Sequence, residues 1–350
     1  MSVLLNAYCT LLAPPRLNFP HTLIGARNQS DPGLAPHLEG FVGYVLGTNG
    51  NQMTSTLYHV MRHIQRVQAQ LSFEVGEGHL EQVSAWAQQA NAVLYWPDGT
   101  VRDAQDRALV YLDGAGPDAG ADVPYPPDAL ERRAHTEGQL SGLGIQVPST
   151  LPPVIGEGEV RWRSAAEVAG RAMALAAVAV MAETRGEGDP MPVARLDTGL
   201  PGYAAFLSPE ERAFLAEQSS PPEQIAKFSW RYEALALLQW ALGWQEQGWL
   251  ADLPFPTEIC DVPGVMRAAL GHTRQIGTGN PPAPNLRPPA ELLDTLDLHY
   301  CLHWLARDAR LKEQPAPHAL EAGVILERHY ALNWLTRFEN SDWDDVDTPT

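Results

Sequence analysis

A stretch of glycine, proline and aspartate divides this chain of 350 residues. Residues 113–128 read DGAGPDAGADVPYPPD and offer almost no side chain that a core could bury. Such a composition is typical of a linker and disfavours both helix and strand. Because a chain of this length usually forms two domains, we place a boundary here. The predicted organisation is a small α+β domain over 1–112, a linker over 113–130, an all-helical domain over 131–338 and an acidic tail over 339–350, expected to be loosely held.

The residues before the linker alternate between strand and helix patterns. Apolar residues at three- and four-residue steps predict helices over 53–70 and 79–90. Alternating or short apolar runs predict strands over 3–12, 71–75, 92–96 and 108–112. This order predicts a small α/β sandwich, and a ferredoxin-like arrangement is one way to build it.

The residues after the linker predict helices with well-marked starts. Ser164-Ala-Ala-Glu167 and Ser208-Pro-Glu-Glu211 have the pattern of capping boxes, in which serine and glutamate satisfy the first free N–H groups of a helix. Ser220-Pro-Pro-Glu223 repeats the pattern before a helix expected to reach about Gln245. Further helices are predicted over 263–270, 289–312 and 316–338. The whole chain is therefore expected to belong to the α+β class.

The charge of the chain limits the partners that it can have. The formal net charge is −18, and Lys227 and Lys312 are the only lysines beside the arginines. An acidic surface repels phosphate backbones and anionic lipids, which argues against nucleic-acid and membrane partners. The acidity has two readings that stay open, namely simple solubility and a basic protein partner.

The cysteines and the apolar runs indicate a cytoplasmic protein. Cys9, Cys260 and Cys301 form no CxxC motif and leave an odd thiol, which fits a reducing compartment. The first twelve residues lack the basic region of a signal peptide. The longest apolar run, 172–182, is shorter than the ~18 residues that a membrane span needs.

The common catalytic motifs do not occur in the sequence. We find no GxGxxG, GxxxxGK[ST], HExxH or GxSxG, which disfavours the standard nucleotide loops and the serine nucleophile elbow. Two HxxxH pairs remain, His59/His63 and His299/His303. A spacing of four places both rings on one helix face, as two metal ligands require, and Cys260 or a further histidine could complete a site. The alternative is that these are core histidines with satisfied hydrogen bonds.

Charged residues on apolar helix stripes are the more informative feature. Arg231 shares a stripe with Phe228 and Leu235, and two charged residues of the last helix share one with Leu335. An ionised group in a core costs several kcal/mol unless it is paired, so these groups either pair with each other or line a cleft. The predicted binding cluster, with two histidines nearby as weak metal candidates, comprises Arg231, Asp261, Glu327, Arg328 and His329, near His299 and His303. A structural network of ion pairs and a polar pocket between helices both stay open.

Several segments of the second half resemble a bacterial family, the domain of unknown function 4272. They are Gly144-Ile-Gln-Val-Pro148, Val160-Arg-Trp-Arg-Ser164, Phe228-Ser-Trp-Arg-Tyr-Glu-Ala-Leu235, Glu327-Arg-His-Tyr-Ala-Leu-Asn-Trp334 and Trp343-Asp-Asp-Val346. The resemblance covers about residues 130–346 and implies a helical domain in a bacterial cytoplasmic protein. It implies no reaction, cofactor or catalytic residue.

Two functions of different class follow from these observations. The favoured one is a non-enzymatic binding or regulatory protein, whose acidic surface meets a basic protein partner. The alternative is a hydrolase or metal-dependent enzyme that uses the polar cluster between the helices. The sequence identifies no cofactor.

Overall fold

The computed structural model describes residues 1–48, 53–244, 258–277 and 285–350. The chain divides into two compact units. The first comprises Met1–Arg132 and Ser149–Val160, and the second comprises Arg133–Pro148 and Arg161–Thr350. The first contains an antiparallel sheet and the second is helical, so the α+β class is confirmed. The domain limits that we place at 112, 130 and 338 stay a prediction.

The strands are β1 (Ser2–Cys9), β2 (His21–Asn28), β3 (Ala69–Gly76), β4 (Ala92–Tyr95), β5 (Val101–Arg102) and β6 (Ala108–Val110). The helices are α1 (Leu34–Thr48), α2 (Ser55–Gln65), α3 (Leu80–Gln89), α4 (Pro127–Gly142), α5 (Ala165–Gly186), α6 (Val193–Gly199), α7 (Pro209–Ala216), α8 (Pro222–Ser229), α9 (Arg231–Ala241), α10 (Val262–Gly277), α11 (Pro289–Leu311) and α12 (Ala322–Leu335).

The first unit is a six-stranded sheet with helices on both faces. The strand order is β2-β3-β1-β4-β5-β6, and each pair of neighbours is antiparallel. Successive side chains of a strand point to opposite faces, so Leu5 and Tyr8 of β1 enter different cores. Leu5 packs with Phe73 and with Trp86 of α3. Tyr8 packs with residues of α1 and α2, among them Val45.

The sheet differs from the ferredoxin-like option. Its order of strands and helices is β-β-α-α-β-α-β-β-β, whereas a ferredoxin-like domain runs β-α-β-β-α-β. The hydrophobic pattern did not predict β2, α1 or β5, and even without them the order β-α-β-α-β-β is not that of a ferredoxin-like domain. Most side chains of β2 are exposed because this strand lies at the edge of the sheet. Glycines at 40, 43 and 47 weaken the helical pattern of α1.

The second unit is built around α5, whose start the capping pattern predicted. The Ser164 side chain accepts a hydrogen bond from the Glu167 N–H, and the Glu167 carboxylate accepts one from the Ser164 N–H, so the predicted capping box is present. The helix is rich in alanine, which lets α8 and α9 pack closely against it. By length and hydropathy α5 could cross a membrane, but 78% of its most apolar window is buried within the protein.

Two local predictions in the second unit were wrong. The helix expected from Ser220 to Gln245 is two helices that meet at Trp230, and the residue that caps the first of them is Pro221. Gln245 lies outside the described residues. The acidic segment 339–350 is anchored, because Trp343 and Val346 are buried in the second unit. Charge composition alone suggested a loose tail, and two apolar anchors override it.

Candidate functional site

Helices α9 and α12 of the second unit carry most of the predicted cluster. Every residue of α9 is buried, so Arg231 and Glu233 are both enclosed although they lie two positions apart. Glu327 and Arg328 lie on the neighbouring helix α12. A helix that is buried on all sides forces any charge on it to find a partner within the core.

Arg231 pairs with Glu327, as one of the two readings of the sequence expects. The Nη1 atom of Arg231 donates to both carboxylate oxygens of Glu327, at 3.2 and 2.9 Å. The side chains are 6% and 12% exposed. Burial raises the pKa of the Glu327 carboxyl, and the Arg231 guanidinium opposes that effect. The pair thus joins α9 to α12.

Arg328 pairs with Glu233, a residue that the sequence reasoning did not include. Its Nε and Nη2 atoms donate to Oε2 of Glu233 at 3.0 and 2.8 Å. Both side chains are 1% exposed. The other carboxylate oxygen of Glu233 accepts a hydrogen bond from the backbone N–H of Cys260 at 2.7 Å. The sequence feature that could have identified Glu233 is its position within the continuous apolar run of α9. A helix with such a run is buried on every face, so its charged residues need partners in the core.

Asp261 does not join this cluster. Its carboxylate lies 3.3 Å from Nη2 of Arg267, and the two side chains are 67% and 72% exposed. The sequence prediction grouped Asp261 with Arg231, Glu327 and Arg328, but Asp261 lies at the surface just before α10. A solvent-exposed pair of this kind contributes little to stability.

A second charged pair and two aromatic rings lie near Arg231. The Arg171 guanidinium pairs with Glu211, and both side chains are buried. The ring of Trp343 lies 4.4 Å from the guanidinium carbon of Arg171 and 5.5 Å from that of Arg231. Tyr330 also stacks on Arg231, at 4.8 Å. Of this set, the site prediction included only Arg231, because the contacts of Arg171, Glu211 and Trp343 link distant parts of the sequence.

The histidines pair differently from the predicted HxxxH motif. Nδ1 of His303 lies 3.0 Å from Nδ1 of His329, while Nδ1 of His299 bonds to the carbonyl of Thr295 at 2.8 Å. Burial lowers the pKa of His299 to about 3 and that of His303 to about 4. Both rings are therefore neutral near pH 7.

The other predicted pair lies in the first unit, and its rings have different partners. His59 contacts the Tyr125 hydroxyl and the carbonyl of Thr150, at 2.8 and 3.2 Å. His63 is fully buried and contacts the carbonyl of Tyr8 at 3.0 Å. Within the described ranges, no three His, Cys, Asp or Glu residues are grouped so that they could hold a metal ion.

The buried carboxylates of the second unit are poorly arranged for acid–base catalysis. The carboxylates of Glu211, Glu233 and Glu327 are each engaged by a guanidinium. A carboxylate whose oxygens are occupied by a guanidinium is poorly placed to accept a proton from a substrate, so these groups are weak candidates for a general base. One of these pairs joins α5 to α7 and two join α9 to α12. The buried ring of Trp343 lies between the two sets, beside Arg171 and Arg231.

Comparison with known proteins gives one finding. No curated protein and no solved structure matches the chain. The family model described as Domain of unknown function (DUF4272) matches residues 132–346, which is more than half of the chain. The resemblance seen in the sequence is thereby confirmed, and this protein belongs to the DUF4272 family.

Proposed function

We propose that this is a bacterial cytoplasmic protein that binds or regulates a basic protein partner through its acidic surface. Its net charge of −18 supplies the attraction. The three cysteines are free and buried, which supports a reducing compartment. The observation that carries the proposal is the distribution of charge between the interior and the surface.

The interior holds a large share of the positive charge. In the second unit the side chains of Arg133, Arg163, Arg171, Arg231 and Arg328 are all buried. Each is held by a carboxylate or by backbone carbonyls within the unit. Four of these arginines pair with carboxylates that are themselves enclosed, so the excess of negative charge of the chain is left at the surface. In the described residues of the second unit, exposed carboxylates outnumber the exposed basic side chains, which are Arg161, Arg195, Arg212, Lys227, Arg267, Arg274, Arg307, Arg310 and Lys312.

One acidic surface of the second unit shows this separation of charge clearly. It is formed by the end of α5 and the residues up to α8, and it carries exposed Glu187, Asp189, Glu217 and Glu223. Among the cations of the same region, Arg185 is directed inward to the carbonyls of Phe214 and Glu217 and to the Ser220 hydroxyl, whereas Arg195, Arg212 and Lys227 are exposed. We call this the α5–α8 acidic surface, and it is the region that we expect a basic partner to contact.

The enzyme alternative has less support. Acid–base catalysis needs a carboxylate or imidazole that can reach a substrate, and hydrolysis at a metal needs an open coordination position. Glu233 is 1% exposed and bonded to Arg328, and Glu327 is bonded to Arg231. These contacts favour a structural network over a reacting group.

The test is affinity capture from a lysate of the native host, at low and at high salt, with the whole protein immobilised. A specific basic protein should be retained at low salt and released at high salt, because the screening length falls from ~10 Å at 0.1 M to ~3 Å at 1 M. The test variant carries Glu187→Gln, Asp189→Asn, Glu217→Gln and Glu223→Gln, and it should lose that protein.

A matched control removes the same charge from the first unit. It carries Glu39→Gln, Glu74→Gln, Glu77→Gln and Glu81→Gln, which are exposed positions. This control should keep the partner. Equal loss in both variants, or no reproducible partner at either salt, would contradict the proposal.

A further inference from the structure

The segment 338–350, called the strap below, lies in a groove of the second unit. Trp343 is its main anchor and is 4% exposed. The indole ring faces the guanidinium of Arg171 at 4.4 Å and that of Arg231 at 5.5 Å. Rings of Tyr330 and Trp334 contact it edge-on, with centroids 5.1 and 5.3 Å away. The groove therefore combines aromatic rings with two guanidinium groups. This combination favours the binding of an indole ring through its electron-rich face.

Backbone contacts of the strap resemble those of a bound peptide. Arg163 donates to the carbonyl of Ser341, and Asn333 donates to that of Asp347, both at 2.8 Å. The Tyr330 hydroxyl donates to the carbonyl of Trp343. Tyr330 and Asn333 lie on α12, and Arg163 lies just before α5. Because these donors bind backbone carbonyls, they would bind any segment whose backbone follows the same path.

The residues beside the tryptophan add a charge preference. The Asp344 carboxylate accepts a hydrogen bond from the backbone N–H of Glu210 at 3.0 Å, in the first turn of α7. Burial lowers the pKa of the Arg171 guanidinium, and the Asp344 carboxylate opposes that effect, so the two groups lie within electrostatic range of each other. The groove thus suits a tryptophan followed by an acidic residue.

The bound position of the strap also carries energetic penalties. Arg337, Glu339 and Asn340, where the chain leaves α12, have φ of 53°, 51° and 55°. The left-handed region is unfavourable for a residue with a side chain. The Nε1 atom of Trp343 and the Nε atom of Arg231 are buried and have no acceptor among the described residues. A buried donor without an acceptor destabilises the state that contains it.

We propose that this groove is a peptide-binding site, which the strap occupies in cis and which binds an acidic, tryptophan-containing peptide of another protein in trans. The strap shows by its own contacts what the groove accepts. The strain at residues 337–340 and the unsatisfied donors weaken the cis complex, so exchange is feasible. This site is separate from the α5–α8 acidic surface, and its ligand has the opposite charge from the basic partner proposed above.

The strap must compete with any external peptide. If the groove is open for only a fraction of the time, the apparent affinity for a peptide falls in proportion to that fraction. A variant whose strap has lost its anchor should therefore bind the same peptide more tightly than the natural chain does.

The experiment measures binding of a fluorescently labelled peptide with the sequence of residues 338–350 to the full-length chain. In the variant Trp343→Ala the peptide should bind saturably, and at least about 10-fold more tightly than in the natural chain, because the internal competitor is weakened. A peptide in which the tryptophan is replaced by alanine should not bind. The control Trp304→Ala, on α11, should bind like the natural chain.

A second variant guards against loss of fold in Trp343→Ala. Glu339→Gly with Asn340→Gly relieves the left-handed strain and so stabilises the strap in its groove. This variant should bind the peptide more weakly than the natural chain does. Circular dichroism would establish that each variant is folded. The proposal is overturned if the folded Trp343→Ala chain binds no peptide, or if the natural chain and both variants bind it equally.

Discussion

Single residues show how charge is managed in the helical unit. The sequence predicted that Arg231, Glu327 and Arg328 are enclosed, because helical periodicity places them on apolar stripes. The sequence reasoning grouped these residues without saying which pairs with which; in the structure Arg231 pairs with Glu327, and Arg328 pairs with Glu233. Glu233 was missed because partners on different helices depend on how the helices pack, which a one-dimensional pattern does not contain.

The pair of Glu233 and Arg328 gives the sharpest prediction at this scale. Glu233→Gln leaves a buried guanidinium beside a neutral amide, so the free energy of unfolding should fall by about 3–5 kcal/mol. Urea denaturation of the whole protein at pH 7 measures it. The double variant Glu233→Leu with Arg328→Met removes both charges and should be less destabilised than Glu233→Gln.

Asp261 provides the matched comparison, since it forms an exposed pair with Arg267. Asp261→Asn should change the free energy of unfolding by less than about 1 kcal/mol. A loss as large as that of Glu233→Gln would show that Asp261 belongs to the buried network after all.

His303 gives a prediction about pH. Burial lowers its pKa to about 4, with Arg307 and Arg310 acting in the same direction and Asp347 against it. An unfolded histidine titrates near 6.5, so between pH 6.5 and 4 the unfolded state binds more protons. Stability from this group is therefore present above pH 6.5 and lost as the pH falls toward 4.

The variant His303→Gln removes that dependence. Its free energy of unfolding should vary less steeply between pH 4 and 6.5, by up to about 1.4 kcal/mol per pH unit, than that of the natural chain. Above pH 7 the two slopes should coincide, because the ring is neutral in both states. Parallel curves through the acid range would refute the assignment.

At the scale of elements, local signals were reliable where the chemistry is local. The capping boxes at Ser164 and Ser208 formed as predicted, because each needs only four consecutive residues. Ser220 failed as a cap, since its hydroxyl instead accepts a hydrogen bond from Arg185 on α5. The edge strand β2 was missed because its exposure removes the alternation by which a half-buried strand is recognised.

The start of α5 can be tested directly. Ser164→Ala removes the acceptor for the Glu167 N–H and should lower the free energy of unfolding by about 1 kcal/mol. Ser164→Asp keeps a side-chain acceptor at the same position and should retain most of the stability. If alanine and aspartate behave alike in urea denaturation, the capping box does not contribute as argued.

At the scale of the whole molecule, burial and charge are linked. Paired arginines and carboxylates in the interior join helices and cancel each other's charge, so the excess of acidic residues lies at the surface. The composition gives that excess, but it does not reveal the division between enclosed pairs and exposed groups. This division appears only when the helices are packed, because burial on one helix depends on what covers it.

The acidic surface should make stability depend on salt in the direction opposite to partner binding. Like charges destabilise the compact state, and their repulsion is screened as the Debye length falls from ~30 Å at 0.01 M to ~10 Å at 0.1 M. The melting temperature should therefore rise over this range, by roughly 2–4 °C for each kcal/mol of repulsion removed. The fourfold neutral variant of the α5–α8 acidic surface should show a smaller rise, because part of the repulsion is already absent.

The buried ion pairs are shielded from dissolved ions and should contribute little to the change in melting temperature. A melting temperature that stays flat or falls with added salt would mean that the charges of the exposed carboxylates are already compensated. Complex formation with a basic partner should weaken under the same change of salt, and this opposite response separates attraction between proteins from repulsion within one.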